Sequence, residues 1–201
     1  MPEELAGNEK PPKEAGGKTR PRERIVTAAC ALFRENGIRA TGVEAIAEAA
    51  DTNKMTLYRH FGSKDELVCE SLKAISALAA EFWAGLERDF PADPQARLDC
   101  WVEHRARSLD RDPCGCDLTN AAVELKEPDH PAYPVIEQYK ADQRRRLVDL
   151  CAHSGSREPE LLADMLTLLI EGARVSRCSA GPEGPSRSFA SACRAAILSL
   201  R

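Results

Sequence analysis

TGVEAIAEAADTNKMTLYRHFGSKDEL, residues Thr41 to Leu67, is the stretch on which the fold turns. Thr41 with Glu44 three residues on forms a T-x-x-E capping box, which satisfies orphan amides at a helix start. Val43, Ile46, Ala47 and Ala50 follow at helical spacing and give a short helix one apolar face. Asp51-Thr52-Asn53 is a polar break that offers two caps. Behind it, KMTLYRHF turns Leu57, Tyr58 and Phe61 to one side and leaves Lys54, Met55, Thr56, Arg59 and His60 on the other. Gly62-Ser63 stops this segment, and Ser63 with Glu66 makes a second capping box that opens the next helix. Two short helices joined by a tight turn match the helix-turn-helix pattern.

The same reading extends outward. Upstream, Ile25, Ala28, Ala29, Leu32 and Phe33 share one helical face, with Pro21 in the first turn and Asn36-Gly37 as the stop. Residues 1–19 are rich in Pro, Gly, Glu and Lys without apolar periodicity, and read as a disordered arm. Downstream, a long helix points Val68, Leu72, Ile75, Ala79, Phe82 and Leu86 inward. A helix near 94–109 carries Leu98, Trp101, Val102 and Arg105, and the turn RDPCGC leads to a short helix over 118–125. After the Pro-rich break EPDHPAYP come helices over 135–151 and 159–178, and a last amphipathic one holding Phe189, Cys193, Ala196 and Ile197. Nothing alternates with a period of two. The fold class expected is all-α, about nine helices, with an arm over 1–19, a helix-turn-helix DNA-binding domain over 20–67 and a second helical domain over 68–201.

Composition bounds the function. The chain has 201 residues, 43% hydrophobic and 30% charged, enough to bury a core without staples. No apolar run is long enough to cross a membrane, and the first residues lack the apolar segment of an export signal. Eight cysteines include no CxxC and no zinc-finger spacing to a histidine, so they read as reduced thiols in a cytoplasmic protein, with no metal and no cofactor. The net charge of −4 hides a small basic excess between Lys18 and Leu67, so any phosphate binding there depends on placement. No GxSxG, P-loop, HExxH or GxGxxG is present, and no enzyme is read.

RERIVTAACALFRENG, TGVEAIAEAA and TLYRHFGSKDEL, in that order, resemble the DNA-binding domain of the TetR family of bacterial regulators over roughly residues 21–68. Farther on, the likeness is one of architecture plus the segments GC-x-L-TNAA-x-EL and DHPA. The resemblance implies a homodimer whose third helices enter the major groove at half-sites about one turn apart. It also implies repression of a promoter, relieved when a small-molecule effector binds the C-terminal domain and moves the fourth helix. The last two helices would form the dimer interface, making 68–201 a ligand-binding and dimerisation domain. The chain departs from the family pattern at Asp51, where many members have Gly, at Thr52, where they have Val or Ile, and at Met55, where small residues are common.

On this reading Thr41 caps a helix and its hydroxyl can hold a phosphate, while Gly42 lets the backbone approach closely. Lys54, Met55 and Thr56 stand near the recognition-helix start as base readers, Met55 suiting a thymine methyl. Arg59 and His60 share the open face, Tyr58 packs its ring inward and extends its hydroxyl to a phosphate, and Lys64 clamps the backbone. Outside the motif, such a polar face would simply be solvated. For the effector cavity the candidates are Trp83, Trp101, His104, Asn120 and Tyr139, each of which could equally be core. Arg144, Arg145 and Arg146 read as a solvated face. Cys114 and Cys116 raise an alternative: a thiol- or metal-sensing DNA-binding regulator, though Asp112 and Asp117 oppose thiolate formation there.

Overall fold

The computed structural model describes residues 20–111 and 115–201. The arm expected over 1–19 and the candidate thiol Cys114 lie outside the described residues. Among the described residues the chain is all helical: α1 (Pro21–Asn36), α2 (Val43–Ala49), α3 (Lys54–His60), α4 (Lys64–Asp89), α5 (Pro94–Arg111), α6 (Asp117–Glu124), α7 (Tyr133–His153), α8 (Pro159–Ala180), a 3-10 turn (Pro185–Ser188) and α9 (Phe189–Ser199). None of these helices is long and apolar enough to cross a membrane.

Local chemistry explains the boundaries. Pro21 occupies the first turn of α1, and Gly37, at φ +83°, ends it. Asn53 caps α3, its side-chain oxygen accepting from the Thr56 amide at 2.8 Å. Ser63 caps α4 by accepting from the Glu66 amide at 3.0 Å. The reciprocal arm of that box differs from expectation, because Glu66 reaches past Ser63 to the amide of Gly62 at 2.9 Å.

The first capping box is overturned. Gly42, not Thr41, is the N-cap of α2, and no side chain caps it. Thr41 is only 4% exposed, and its hydroxyl is turned inward to the carbonyls of Gly37 at 2.6 Å and Leu32 at 3.2 Å. Two carbonyls at the end of α1 thus take the hydroxyl that the capping box would have used.

Three apolar cores are strung along α4. Leu67 joins Ile25, Ala29, Val43, Ile46, Ala47, Leu57 and Phe61 in the N-terminal core. On another face of the helix, Val68, Cys69 and Leu72 pack with Ile38, Leu118, Ala121 and Ile136. Farther along, Trp83 and Leu86 enter the large core of α5, α7, α8 and α9. The helix thus contributes side chains to all three cores. Cys69, Cys151 and Cys193 are buried, and burial pushes the thiols of Cys151 and Cys193 up to about 12, as small core hydrophobes require. Cys178 departs from that pattern and is exposed.

Candidate nucleic-acid interface and internal cavity

The presentation of α3 begins with its anchors. Leu57 and Phe61, an i, i+4 pair, are both fully buried against α1 and α2. A helix this short buries one such pair, which forces its other side outward. Met55 is consequently 84% exposed, with Lys54 and Arg59 also exposed beside it. Tyr58 does not pack its ring inward as the sequence suggested. It is 40% exposed, because Leu57 and Phe61 already fill the space beneath α3. His60 departs in the opposite direction: it is half-buried, and its Nε2 is enclosed without a hydrogen-bond partner among the described residues. The open face is therefore Lys54, Met55, Tyr58 and Arg59, with Thr56 half-buried between them.

Charge is arranged around this face. Lys54 Nζ pairs with Glu44 Oε1 at 2.6 Å, tying the start of α3 to the start of α2; the hydrogen bond raises the Lys54 pKa and lowers that of Glu44. Lys64 Nζ lies 3.5 Å from the Arg39 carbonyl, reaching back across the loop between α1 and α2. Gly42 has φ −81°, and a methyl group there would make only ordinary contact with Glu44 at 3.7 Å. Nothing inside the protein demands a glycine at that exposed position.

The turn before α3 carries the departure seen in the sequence. Asp51 has φ +49°, the one non-glycine left-handed residue among the described residues. The Thr52 amide donates to Ala47 O at 2.9 Å and the Asp51 amide to Glu48 O at 3.0 Å, closing the end of α2 as a Schellman turn. From α1, Arg24 donates to the carbonyls of Ala50 and Asp51, both at 3.0 Å, and holds the turn in place.

A cavity of about 210 Å³ lies among α4, α5, α7 and α8. Three of the five residues proposed for it meet there: Trp83, Trp101 and Tyr139. The other two do not. His104 stacks on Phe82 with ring centroids 4.0 Å apart, and Asn120 faces two other clefts beside α6. Burial lowers the His104 pKa, helped by neighbouring arginines. Trp83 donates its indole N–H to Gln143 at 2.8 Å. Burial pushes the Tyr139 phenol up to about 12, so it stays a neutral donor.

The sequence reading missed the charged lining. Lys140 Nζ pairs with Glu171 and binds Thr119, both at 2.7 Å. Arg144, expected as plain solvated surface, forms a two-pronged bridge to Asp164 at 2.7 and 2.9 Å on the cavity rim. Arg145 and Arg146 pair with Asp142. Arg105 sits 5.4 Å from the ring centroids of both Phe82 and Trp101. Its place on the inward stripe of α5, one turn after Trp101, was the available signal.

The helix α6 connects this cavity to α1 and the loop that follows it. Asp117 at its start makes a two-pronged bridge to Arg34 of α1, with Nε to Oδ1 at 2.8 Å. At its end, Glu124 accepts from the amides of Ile38 at 2.9 Å and Arg39 at 2.6 Å. His130 and Asp65 add a contact at 3.5 Å.

Comparison with known proteins agrees with this arrangement. The sequence profile described as bacterial regulatory proteins, tetR family, matches residues 25–70, from α1 into α4. The transcriptional repressor KstR2 of Mycobacterium tuberculosis H37Rv is 42% identical over 155 residues, 76% of this chain and 76% of that protein. KstR2 of Rhodococcus jostii is 41% identical over 63 residues, and there the match spans only 31% of either chain. A TetR-family transcriptional regulator from Streptomyces coelicolor has the same fold, with a TM-score of 0.81 at 23% identity, covering 90% of this chain and 95% of that one. Taken with a helix-turn-helix whose outward face is free of core duty, these matches show that the chain belongs to the tetR family of bacterial regulatory proteins, a family of DNA-binding transcriptional regulators.

Proposed function

We propose that the protein is a homodimeric transcriptional repressor that leaves its operator when a small molecule fills the cavity among α4, α5, α7 and α8. The observation that carries DNA reading is the outward face of α3: a large apolar side chain, Met55, stands 84% exposed between Lys54 and Arg59 on a helix anchored by fully buried Leu57 and Phe61. That combination suits a major groove, where an apolar tip meets a thymine methyl and the cations meet phosphates. Repression is supported by the name of the KstR2 relative. Dimer formation is supported by Leu161, Leu168 and Val175, which recur every seven residues along α8 and are 46%, 72% and 69% exposed. Release by a ligand is supported by the path from cavity wall to DNA-facing helices through α4 and α6. The place of action would be the bacterial cytoplasm, where promoter DNA lies.

Footprinting on the DNA upstream of the protein's own gene, at low and moderate salt, tests this. A protected pseudo-palindrome that survives moderate salt is the expected result. Lys64→Ala and Arg59→Ala should weaken binding to every sequence and each reduce the salt slope by about one. Met55→Ala should change base preference instead. Gly42→Ala should leave the thermal midpoint unmoved and still weaken DNA binding, because its added methyl meets only the phosphate backbone. A Lys64→Ala protein that binds like the parent at every salt concentration removes Lys64 from the interface.

A further inference from the structure

The lining of the cavity has an imbalance of charge that the rest of the molecule does not correct. Both of its carboxylates are already neutralised, Asp164 by Arg144 and Glu171 by Lys140. Two guanidinium groups remain, Arg105 and Arg174, and neither has an ion-pair or hydrogen-bond partner among the described residues. The aromatic rings around Arg105 hold its plane but satisfy none of its N–H donors. Trp101 is 4% exposed and lines the same cavity, and its indole N–H is enclosed without an acceptor. Both arginines are half-buried, so their open donors face the cavity rather than bulk solvent alone. Arg105 and Arg174 line the same space as Trp83 and Trp101, and what is missing there is an acceptor bearing negative charge.

We propose that this cavity takes an organic acid, its apolar body lying against Trp83 and Trp101 and its anionic head held by Arg105 and Arg174. A guanidinium is the group best shaped for a carboxylate, since its parallel N–H bonds match the two oxygens. The size of the cavity, about 210 Å³, suits a one-ring or medium-chain acid. Burial lowers the pKa of Arg105, with Arg174 adding to the effect, so an anion between the two would relieve their mutual repulsion. The proposal rests on the reading of this cavity as the effector site and names the chemistry of what enters it.

The test uses 3-phenylpropanoate and octanoate, each against its own neutral amide, on the full-length protein. Both tryptophans of the chain line the cavity, so their emission reports directly on occupancy. Each acid should change that emission and bind at least about tenfold more tightly than its amide by calorimetry. Arg174→Gln should lose that preference, while Arg174→Lys should recover part of it. Because the comparison of acid with amide needs no variant, an unfolded Arg105 or Arg174 substitution does not blunt the test. Equal binding of acid and amide, or no emission change from either acid up to about 10 mM, overturns the proposal. A gel shift separates the two ideas. An acid that binds but leaves the operator complex intact sinks the effector reading alone. Release by an amide as effective as its acid sinks the acid site alone.

Discussion

Asp51 shows how a single residue can be placed by its surroundings against its own preference. The Schellman turn at the end of α2 needs a left-handed residue there, and Asp51 supplies it at φ +49°. A side chain in that region costs about 1–2 kcal/mol, although Asp tolerates it better than most. Arg24 offsets the cost by binding the carbonyls of Ala50 and Asp51. Asp51→Gly should therefore stabilise the protein by about 0.5–1 kcal/mol, a rise of roughly 2–4 °C in midpoint per kcal/mol, read by calorimetry. An unchanged or lowered midpoint would show that Arg24 already removes the strain. Caps tell a related story. Asn53 and Ser63 cap as local pattern dictates, whereas Thr41 does not, because carbonyls of Leu32 and Gly37 on the preceding helix claim its hydroxyl. Adjacent sequence could suggest the competition at Gly37 but not that at Leu32.

At the scale of elements, α6 is the piece with the most consequence for its size. Its two ends are fastened to α1 and the loop after it, by Asp117 to Arg34 and by Glu124 to the amides of Ile38 and Arg39. Its middle, through Thr119, touches Lys140 and Glu171 in the cavity wall. Gly37 leaves the space the Glu124 carboxylate occupies, since an added methyl there would lie 3.1 Å from Oε1. Glu124→Ala should cost about 1–3 kcal/mol by orphaning two amides, and hydrogen exchange at residues 38 and 39 should speed up without change in the core of α8. DNA affinity should fall as well, although α3 is untouched. Unaltered exchange at those amides would mean that packing of Ile38 alone holds the loop.

For the whole molecule, Leu161, Leu168 and Val175 on α8 form an exposed apolar stripe, and Leu198 on α9 is 66% exposed as well. A seven-residue repeat keeps such a stripe in line along two helices that pack at a shallow angle. Leu168→Glu combined with Val175→Glu should convert a dimer to a monomer by sedimentation, with helicity retained. Operator affinity should then fall by orders of magnitude, because one protomer contacts one half-site. A double variant that still sediments as a dimer would move the interface elsewhere. The same change should leave the cavity able to bind its ligand, since the cavity is lined within one chain.

By itself the sequence determined what depends on near neighbours: the helices, their apolar faces, the turn before α3 and the outward placement of Lys54, Met55 and Arg59. Those follow from 3.6-residue periodicity and from caps a few residues away. The family resemblance was legible in the same short segments. The tertiary structure alone decided how the polar groups in and around the cavity are matched. Arg144 with Asp164, Lys140 with Glu171 and Trp83 with Gln143 are joined across 20 to 60 residues of chain, and each pairing depends on how two helices cross. Arg105 and Arg174 are left over only after those pairs have formed. Whether a charge in a helix ends solvated, paired or unmet in a cavity is a property of its distant neighbours, and no local pattern carries that information.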